Sequence, residues 1–535
     1  MPAETALRTL TGWLAGDLVE MVNTDPDTII TGLSLSSQRI HPGDLYAALP
    51  GSRAHGASFA ADAVAAGAVA VLTDTAGAGL CRDLPVPVLV VERPRSLLGT
   101  LAARVYGEPA THLRLVAVTG TQGKTTTTRL AEGGLQAAGV PAAVVGTVGT
   151  RINGVEVKTT LTTPEAPHLH ALFAVMREEG ARGCAIEVSS HALVMGRVDG
   201  VVFDVAAFTN LGRDHLDFHA DVEEYFQAKA SLFTPERARL GLVNVADEYG
   251  RRMLDEAPIP MRTFSASGAP ADWLALDIEL RPTGSSFTVQ TPAGERFPAE
   301  VALTGDFNVE NALCAIASLG EAGFDPAAVA RGIASSAGVP GRLEQVDAGQ
   351  DFLAIVDYAH KPDAVGAALA ALRPLTRGRL IVVIGAGGDR DHGKRPIMGE
   401  LSARLADVLI VTDDNPRTED PAVIREAMLT GAASVPDGER AEVRETGDRR
   451  AAIRLAVSLA KAGDTVVVAG KGHETGQEIL GTVHPFDDRV VLRQLLRQLL
   501  RELLGQLPGE ELGQLPGEEP DEELGEEPDE ELGDR

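Results

Sequence analysis

The segment from Leu113 to Gly139 limits the possible folds of this chain more than any other. The apolar run LRLVAVTG is followed by the glycine-bearing loop TQGK and then by TTTTRLAEGGLQAAG. Strands buried on both faces of a sheet are nearly continuous apolar runs, and a helix after a tight loop returns the chain for the next parallel strand. The segment therefore predicts one βα step of a parallel sheet, in an α/β domain.

The same alternation of apolar runs and helical patterns continues along the chain. A chain of 535 residues also exceeds what one hydrophobic core normally holds. A small α/β unit with the strand-like DLYAAL comes first, and RLIVVIGAGG, DVLIVTDD and DTVVVAG belong to a last, doubly wound sheet. We predict an α/β protein with three domains: residues 1–113, a central P-loop parallel-sheet domain at 114–340, and a C-terminal Rossmann-like domain at 341–496.

Residues 497–535 differ in composition from the rest. They contain acidic near-repeats such as GQLPGEEL and EEPDEELG, with few side chains able to form a core. This composition predicts a disordered tail, and a specific partner-binding segment is the alternative. The formal net charge of the whole chain is −28, which argues against sequence-independent binding to nucleic acid because such binding needs a basic surface.

Cysteine usage and hydropathy indicate the compartment. Cys81, Cys184 and Cys314 are odd in number and far apart, which fits neither a disulfide framework nor a structural zinc site. The N-terminus lacks the pattern of a signal peptide, and no stretch approaches the roughly 18 apolar residues of a membrane span. We expect a cytoplasmic protein without membrane insertion, and a monomer.

The loop GTQGKT predicts a site for nucleotide phosphates. Backbone N–H groups of such a loop and the following helix start face an anion, Lys124 reaches the terminal phosphates, and Thr125 can hold Mg²⁺. Val118 stands where the longer form of this motif has its first glycine, so the spacing is GxxGKT. A glycine turn without nucleotide is the alternative. The expected ATP contacts are Gly120, Thr121, Gln122, Gly123, Lys124, Thr125 and Thr126.

Further polar clusters follow in a characteristic order. They are EVSSH at 187–191, NLGRDHLD at 210–217, YFQAK at 225–229, GDFNVENALCA and DYAHKP. In this order and at this spacing the set resembles the Mur ligase family, over nearly the whole chain except the acidic tail. The resemblance implies an ATP-dependent ligase that joins an amino acid to a carboxylate through an acyl phosphate, with ATP as co-substrate and Mg²⁺ as cofactor.

The resemblance also implies roles for individual residues. Glu187 matches a Mg²⁺-binding glutamate and His215 a second metal ligand, while Lys229 matches a lysine whose carbamate supports Mg²⁺. The alternatives are a structural salt bridge for Glu187, a core hydrogen bond for His215 and an exposed helix lysine for Lys229. Nucleotide contacts that could instead be caps or turns are Asn308, Asn311, Arg342 and Asp357. The catalytic set is Lys124, Glu187, His215 and Lys229; the metal set is Thr125, Glu187, His215 and carbamylated Lys229.

The motif Asp414-Asn415-Pro416-Arg417 resembles that of the branch adding meso-2,6-diaminopimelate to UDP-MurNAc-L-Ala-D-Glu. A guanidinium at Arg417 could bind the distal carboxylate through two parallel hydrogen bonds, and Glu474 would suit the distal ammonium. An Asx-Pro turn with a surface arginine is the alternative. Rival functions are a lysine-adding ligase, a folylpolyglutamate synthase-like enzyme and a nucleotide-dependent binding protein. The implied acceptor contacts are Arg390, Asp414, Asn415, Pro416, Arg417, Gly470 and Glu474.

For the UDP-MurNAc-dipeptide the resemblance implies contacts from two regions. Where members of the family commonly have Asp-Ser-Arg, this chain has Ser36-Ser37-Gln38, and a surface turn is the alternative for Ser37. The implied contacts are Ser37, Ser52, Arg53 and Ala54 for the uridine diphosphate, and Thr162, Thr163, Ser189 and Arg197 for the peptide end.

Overall fold

Three large β-sheets follow one another along the chain, each covered by helices on both faces. The computed structural model describes residues 4–51, 53–212, 214–215, 218–336 and 338–505. The α/β class with a Rossmann-like last domain is confirmed. Short 3₁₀ helices occur at Ser37–Arg39, Gly56–Phe59, Pro109–His112 and Arg373–Leu375.

The first sheet has five strands in the order β2-β7-β6-β5-β4, with β4 to β7 parallel and β2 antiparallel to β7. Helices α1 and α4 cover one face, and α2 and α3 cover the other. Strands β1 and β3 pair separately. The bounds are β1 Thr5–Ala6, α1 Leu7–Trp13, β2 Leu18–Val22, β3 Ile29–Ile30, β4 Gly32–Ser34, β5 Asp44–Ala48, α2 Ala60–Ala65, β6 Ala70–Thr73, α3 Thr75–Cys81, β7 Val88–Val91 and α4 Pro94–Val105.

The central sheet has eleven strands in the order β11-β10-β9-β12-β8-β13-β14-β15-β16-β17-β18. The bounds are β8 Arg114–Thr119, α5 Lys124–Ala137, β9 Ala142–Gly146, β10 Gly149–Ile152, β11 Val155–Val157, α6 Ala166–Glu178, β12 Gly183–Glu187, α7 Ser190–Val194, β13 Phe203–Phe208, α8 Val222–Ala230, β14 Ala238–Asn244, α9 Glu248–Glu256, β15 Met261–Ser265, β16 Trp273–Arg281, β17 Gly284–Gln290, β18 Arg296–Val301, α10 Asp306–Glu321 and α11 Pro326–Ala334.

The central sheet is mixed rather than purely parallel. The seven central strands, in the order β9-β12-β8-β13-β14-β15-β16, run parallel to one another. Strands β10 and β11 at one edge and β17 and β18 at the other pair antiparallel with their neighbours. The prediction of a parallel-sheet central domain is confirmed for the central strands, and antiparallel strands extend the sheet at both edges. These edge strands are partly exposed, so their sequences lack the continuous apolar runs that identify the central strands.

The third sheet has the order β19-β20-β24-β21-β22-β23, parallel except for β19. Helices α12, α13 and α14 pack on one face, and α15 and α16 on the other. The bounds are β19 Glu344–Gln345, β20 Leu353–Asp357, α12 Pro362–Leu372, β21 Leu380–Ile384, α13 Lys394–Leu405, β22 Val408–Val411, α14 Pro421–Ala433, β23 Glu442–Glu445, α15 Arg449–Leu459, β24 Thr465–Ala469, β25 Gly476–Ile479, β26 Thr482–Pro485 and α16 Asp488–Gly505.

The last helix corrects the predicted start of the tail. Helix α16 continues to Gly505, so the prediction of disorder is wrong for residues 497–505. Leu492, Leu495 and Leu496 are buried on the third sheet, and the leucines of RQLLRQLLRELL keep this helical spacing past residue 497. The rest of the predicted tail, residues 506–535, lies outside the described residues. Within the described part, no helix is both long and apolar enough to cross a bilayer.

Candidate active site

Three neighbouring strands of the central sheet end side by side. Strand β8 lies between β12 and β13, with Val118 opposite Glu187 and Thr119 opposite Phe208. Because the carboxyl ends of parallel strands share one edge of a sheet, the phosphate loop after β8 lies between Glu187 and the polar turn after β13. The sheet therefore brings together motifs that are far apart in sequence.

Two glycines give the phosphate loop its shape. Gly120 and Gly123 have φ of 147° and 86°, a region that other residues rarely adopt. A Cβ at Gly120 would lie 2.0 Å from Thr209 Oγ1, and one at Gly123 would lie 2.3 Å from Asn311 Oδ1. Helix α5 begins directly after Gly123, so its N-terminal N–H groups are available to an anion at the loop.

A cavity of about 680 Å³ extends from the phosphate loop to the third domain. Residues 121–126 form one wall, and the loops after β20 and β21 contribute to the opposite side. The central and third domains thus share one site. Predicted site residues that line it are Lys124, Thr125, Glu187, His215, Lys229, Asn308, Asn311, Arg342, Asp357, Arg390, Thr162, Ser189 and Arg197.

Glu187 is held by hydroxyl and amide donors rather than by a basic side chain. It is 1% exposed, and its Oε2 accepts hydrogen bonds from Thr125 Oγ1 at 3.0 Å and Thr147 Oγ1 at 3.1 Å. Its Oε1 accepts from the Thr147 amide at 2.8 Å. No ion pair joins Glu187 to a described residue, so the salt-bridge alternative finds no support. A buried carboxylate beside the phosphate loop can bind a cation together with the Thr125 hydroxyl.

Lys229 is buried beside Lys124. Its side chain is 1% exposed, and its Nζ donates to Gly120 O at 2.8 Å, while Lys124 Nζ donates to the same oxygen at 2.9 Å. Burial and then the charge of Lys124 hold the pKa of Lys229 well below its usual range, and burial lowers the pKa of Lys124 to about 8. The alternative of an exposed helix lysine is wrong.

His215 lies at the contact between the central and third domains. Its Nε2 is 3.2 Å from Asp214 Oδ2, and the centre of its ring is 4.8 Å from that of His191. Burial lowers the pKa of His215 to about 4, so the imidazole is neutral near pH 7 and can offer a lone pair to a metal. Asp214 also forms an ion pair with Lys361 of the third domain.

The third domain supplies cationic and acidic groups to the same cavity. Arg342 Nη2 donates to Thr125 Oγ1 at 3.2 Å, and its guanidinium lies 4.5 Å from the Tyr358 ring centre. Asp357 accepts backbone hydrogen bonds from Leu343 at 2.7 Å and Ala359 at 2.8 Å. Burial raises the pKa of Asp357. Because backbone donors fix the carboxylate, Asp357 is a rigid acceptor at the edge of the site.

The residues predicted for the peptide end divide into two groups. Thr162, Ser189 and Arg197 line the cavity, and Arg197 Nε donates to Glu165 Oε1 at 2.9 Å. Thr163 is instead fully buried, and its hydroxyl donates to Glu187 O at 2.7 Å. Thr163 therefore fixes the carboxyl end of β12 through this hydrogen bond.

The residues predicted for the uridine diphosphate lie in the first domain. Ser37 is half-buried in the 3₁₀ helix at Ser37–Arg39, and Arg53 and Ala54 are exposed. These three residues do not line the cavity at the phosphate loop. Ser52 lies outside the described residues.

The acceptor motif forms a second cluster at the carboxyl ends of the third sheet. Arg417 has a φ of 52°, uncommon for a residue other than glycine, and its backbone N–H donates to Glu478 O at 3.0 Å. Its side chain donates to Gly388 O at 2.6 Å and to Glu478 Oε2 at 3.2 Å. Asn415 Nδ2 donates to Glu474 Oε2 at 2.9 Å. The loops after β21, β22 and β24 therefore meet.

Comparison with known proteins identifies the family. Residues 29–106, 118–319 and 341–472 match, respectively, models of the "Mur ligase family, catalytic domain", the "Mur ligase middle domain" and the "Mur ligase, glutamate ligase domain". A UDP-N-acetylmuramoyl-L-alanyl-D-glutamate–2,6-diaminopimelate ligase from Streptomyces avermitilis is 56% identical over 473 residues, covering 88% of this chain and 93% of that protein. The chain belongs to the Mur ligase family.

Other Mur ligases agree with this assignment. A protein of the same name from Corynebacterium efficiens is 52% identical over 493 residues, covering 90% of this chain and 93% of its own. A solved structure of a UDP-N-acetylmuramoyl-L-alanyl-D-glutamate–2,6-diaminopimelate ligase has a TM-score of 0.66 and 33% identity, and it covers 93% of this chain and 100% of that one. The prediction of an ATP-dependent ligase is confirmed.

Several residues of this Mur ligase site received no role from the sequence. Asn210 Oδ1 accepts from the Gln122 amide at 2.9 Å, and Tyr225 Oη is 3.1 Å from Thr121 Oγ1, so both fix the phosphate loop. Asp214 and Lys361 join the two domains. All four belong to the segments NLGRDHLD, YFQAK and DYAHKP. The family motifs therefore contain all four residues, but the motifs gave site roles only to residues next to them.

Proposed function

We propose that this Mur ligase adds meso-2,6-diaminopimelate to the side-chain carboxylate of D-glutamate in UDP-MurNAc-L-Ala-D-Glu, as a cytoplasmic monomer in peptidoglycan precursor synthesis. One observation carries the proposal. The loop after β21 connects the cavity at the phosphate loop with the cluster formed by the acceptor motif. Arg390 of this loop lines the cavity, and Gly388 O of the same loop accepts a hydrogen bond from Arg417. The relatives named for this acceptor support it further.

The proposed reaction has two steps. An oxygen of the D-glutamate carboxylate attacks the γ-phosphorus of ATP, the bond to the β-phosphate oxygen breaks, and ADP leaves. The neutral amine of diaminopimelate then attacks the acyl carbon, loses a proton and expels phosphate. Lys124 and Arg342 lie where they can offset charge on the anions, so catalysis rests on positioning and charge stabilisation.

The donor set fits Mg²⁺ bound together with nucleotide phosphates. The described residues contain no group of three His, Cys, Asp or Glu side chains able to hold a metal by themselves. Mg²⁺ usually keeps waters and uses one or two protein ligands plus substrate phosphates. Thr125 and Glu187 would hold one ion, and His215 and carbamylated Lys229 would serve a second. The metal would offset phosphate charge during transfer.

The surroundings of Lys229 support its carbamylation. Its depressed pKa favours the neutral amine, which can attack the carbon of CO₂. A N–C bond forms, one C=O bond becomes a C–O⁻ group, and a proton passes to solvent. Lys124 and Lys229 both contact Gly120 O, so a carbamate on Lys229 would be attracted to the neighbouring Lys124 ammonium.

The substrate contacts are assigned to three surfaces. Arg417 and Glu474 would bind the distal carboxylate and ammonium of diaminopimelate, with Arg390, Asp414, Asn415, Pro416 and Gly470 around them. Thr162, Ser189 and Arg197 would bind the peptide end. Ser37, Ser52, Arg53 and Ala54 of the first domain would bind the uridine diphosphate.

Phosphate release tests the proposed function directly. The enzyme is supplied with ATP, Mg²⁺, UDP-MurNAc-L-Ala-D-Glu and either meso-diaminopimelate or L-lysine. We expect release with diaminopimelate and at least about 100-fold lower kcat/KM with lysine, because lysine lacks the distal carboxylate that the Arg417 guanidinium would bind. Release with neither acceptor would defeat the proposal, and equal release with both would remove the acceptor assignment.

Arg417→Ala should lower kcat/KM for diaminopimelate by about 100-fold, with little change for lysine, because lysine has no distal carboxylate for the guanidinium to bind. The measurement is kcat/KM for both acceptors. Arg440→Ala is the matched control, since Arg440 belongs to the same domain and pairs with the exposed Asp437. Unchanged selectivity in Arg417→Ala would contradict the role given to Arg417.

A further inference from the structure

A lysine with no exposed surface lies beneath the acceptor cluster. Lys471 follows β24, and its side chain is 0% exposed. Removing an ammonium group from water is strongly unfavourable unless nearby acceptors compensate it. The residues that contact Lys471 must therefore be arranged around its charge.

Those residues belong to the acceptor motif. Lys471 Nζ is 3.1 Å from Asn415 Oδ1, 3.2 Å from Glu474 Oε2 and 4.0 Å from Asp414 Oδ1. An ammonium has donors only, so Asn415 must turn its oxygen toward Lys471 and its nitrogen toward Glu474. The Glu478 amide donates to the same Asn415 oxygen at 2.9 Å. Lys471 thus fixes the orientation of the Asn415 amide.

The same contacts leave one oxygen of Glu474 available. Oε2 accepts from both Lys471 and Asn415, whereas Oε1 has no hydrogen-bond partner among the residues that the structure describes. Because two donors hold Oε2, the direction of Oε1 is set before a ligand arrives. A fixed carboxylate oxygen is a suitable acceptor for an ammonium group.

We propose that Lys471 is a positioning residue for acceptor recognition: it orients Asn415 and Glu474, and its charge favours an acceptor whose distal end is zwitterionic. This inference rests on the proposed function. Asp414 and Glu474 would together attract any cation, but Lys471 offsets part of their charge. The distal carboxylate of diaminopimelate would pair with Arg417, and its distal ammonium would pair with Glu474. Lysine has only the distal ammonium, so it would bring a positive charge near Lys471 and Arg417 without a carboxylate to offset it.

The test compares Lys471→Met, which lacks donor and charge, with Lys471→Gln, which keeps a donor. We expect Lys471→Met to raise KM for diaminopimelate by about tenfold and to lower its preference over lysine by a similar factor. The KM values for ATP and UDP-MurNAc-L-Ala-D-Glu should stay unchanged. Lys471→Gln should raise KM less but lose as much preference, because the preference depends on charge. Lys461→Met, at an exposed site in the same domain, is the control.

The outcomes separate this inference from the proposed function. If the wild-type enzyme shows no turnover dependent on diaminopimelate, the proposed function fails. If the wild type is active but both Lys471 variants keep the wild-type acceptor preference, or lose affinity equally for all three substrates, the inference is overturned. Lys471→Met should add less than about twofold in a Glu474→Gln background, because the lysine acts through that carboxylate. Independent, multiplicative effects would also overturn the inference.

Discussion

Lys229→Met is expected to reduce kcat about 100- to 1,000-fold, the scale seen when a preorganised electrostatic group is removed from an active site. Methionine fills a similar volume and is apolar, so the buried position should tolerate it. Gly120 O would keep its hydrogen bond from Lys124. The loss should therefore appear in catalysis and leave ADP binding largely intact.

Three measurements distinguish this effect from unfolding. Phosphate release gives kcat, calorimetric titration gives the Kd for ADP, and circular dichroism gives the melting temperature. Lys158→Met, at an exposed site in the same domain, should keep wild-type activity. A kcat within about tenfold of wild type in Lys229→Met would show that no carbamate at this position is needed.

Carbamylation itself has a separate signature. Lys229→Ala leaves space where the carbamate would lie, so a small carboxylate such as acetate should restore part of its activity in a concentration-dependent way. The same salt should not restore Lys124→Ala, because that variant lacks a cation. Intact mass measured after equilibration with CO₂ should show the added carboxyl group in the wild type and not in Lys229→Ala.

Much of the fold was predictable because buried parallel strands have a direct sequence signal. The runs at Leu115–Val118 and Ile381–Ile384 are continuous and apolar, and both became central strands. The edge strands were missed because a half-exposed strand such as Arg296–Val301 carries polar residues at its outward positions. The predicted start of the tail was wrong for a different reason. The acidic composition of residues 497–535 was given more weight than the helical spacing of the leucines in residues 497–505.

Site residues could be predicted where they belong to a recognisable sequence motif. Lys124 follows β8 and Glu187 ends β12, and each motif places its residue at the carboxyl end of a parallel strand, so their meeting could be expected. The ion pair of Asp214 with Lys361 could not be expected, because it depends on how two domains dock. Burial of Lys229 was likewise hidden, since YFQAK is equally compatible with an exposed helix face.

Arg449→Met is expected to destabilise the third domain by about 3–5 kcal/mol, the usual effect of removing one partner from a buried ion pair. Arg449 and Asp488 are both 0% exposed, and two hydrogen bonds of 2.8 and 2.7 Å join them. Arg449 also donates to Asp413 O at 3.2 Å and Ala469 O at 2.9 Å. Those carbonyls immediately precede Asp414 and Gly470, so the acceptor loops should loosen as well.

Urea unfolding followed by hydrogen exchange in the third domain measures this loss without assuming that the whole chain unfolds in one step. Arg404→Met is the control, because Arg404 pairs with Glu400 and Glu439 on the surface, where about 1 kcal/mol or less is expected.

The double variant Arg449→Met/Asp488→Leu decides why the single variant is unstable. If the cost comes from leaving the Asp488 carboxylate buried and unpaired, the double variant should recover most of the stability. It should not recover acceptor binding, since the Arg449 donors to the carbonyls of Asp413 and Ala469 would still be missing. A double variant less stable than Arg449→Met would contradict the charge argument and assign the loss to packing.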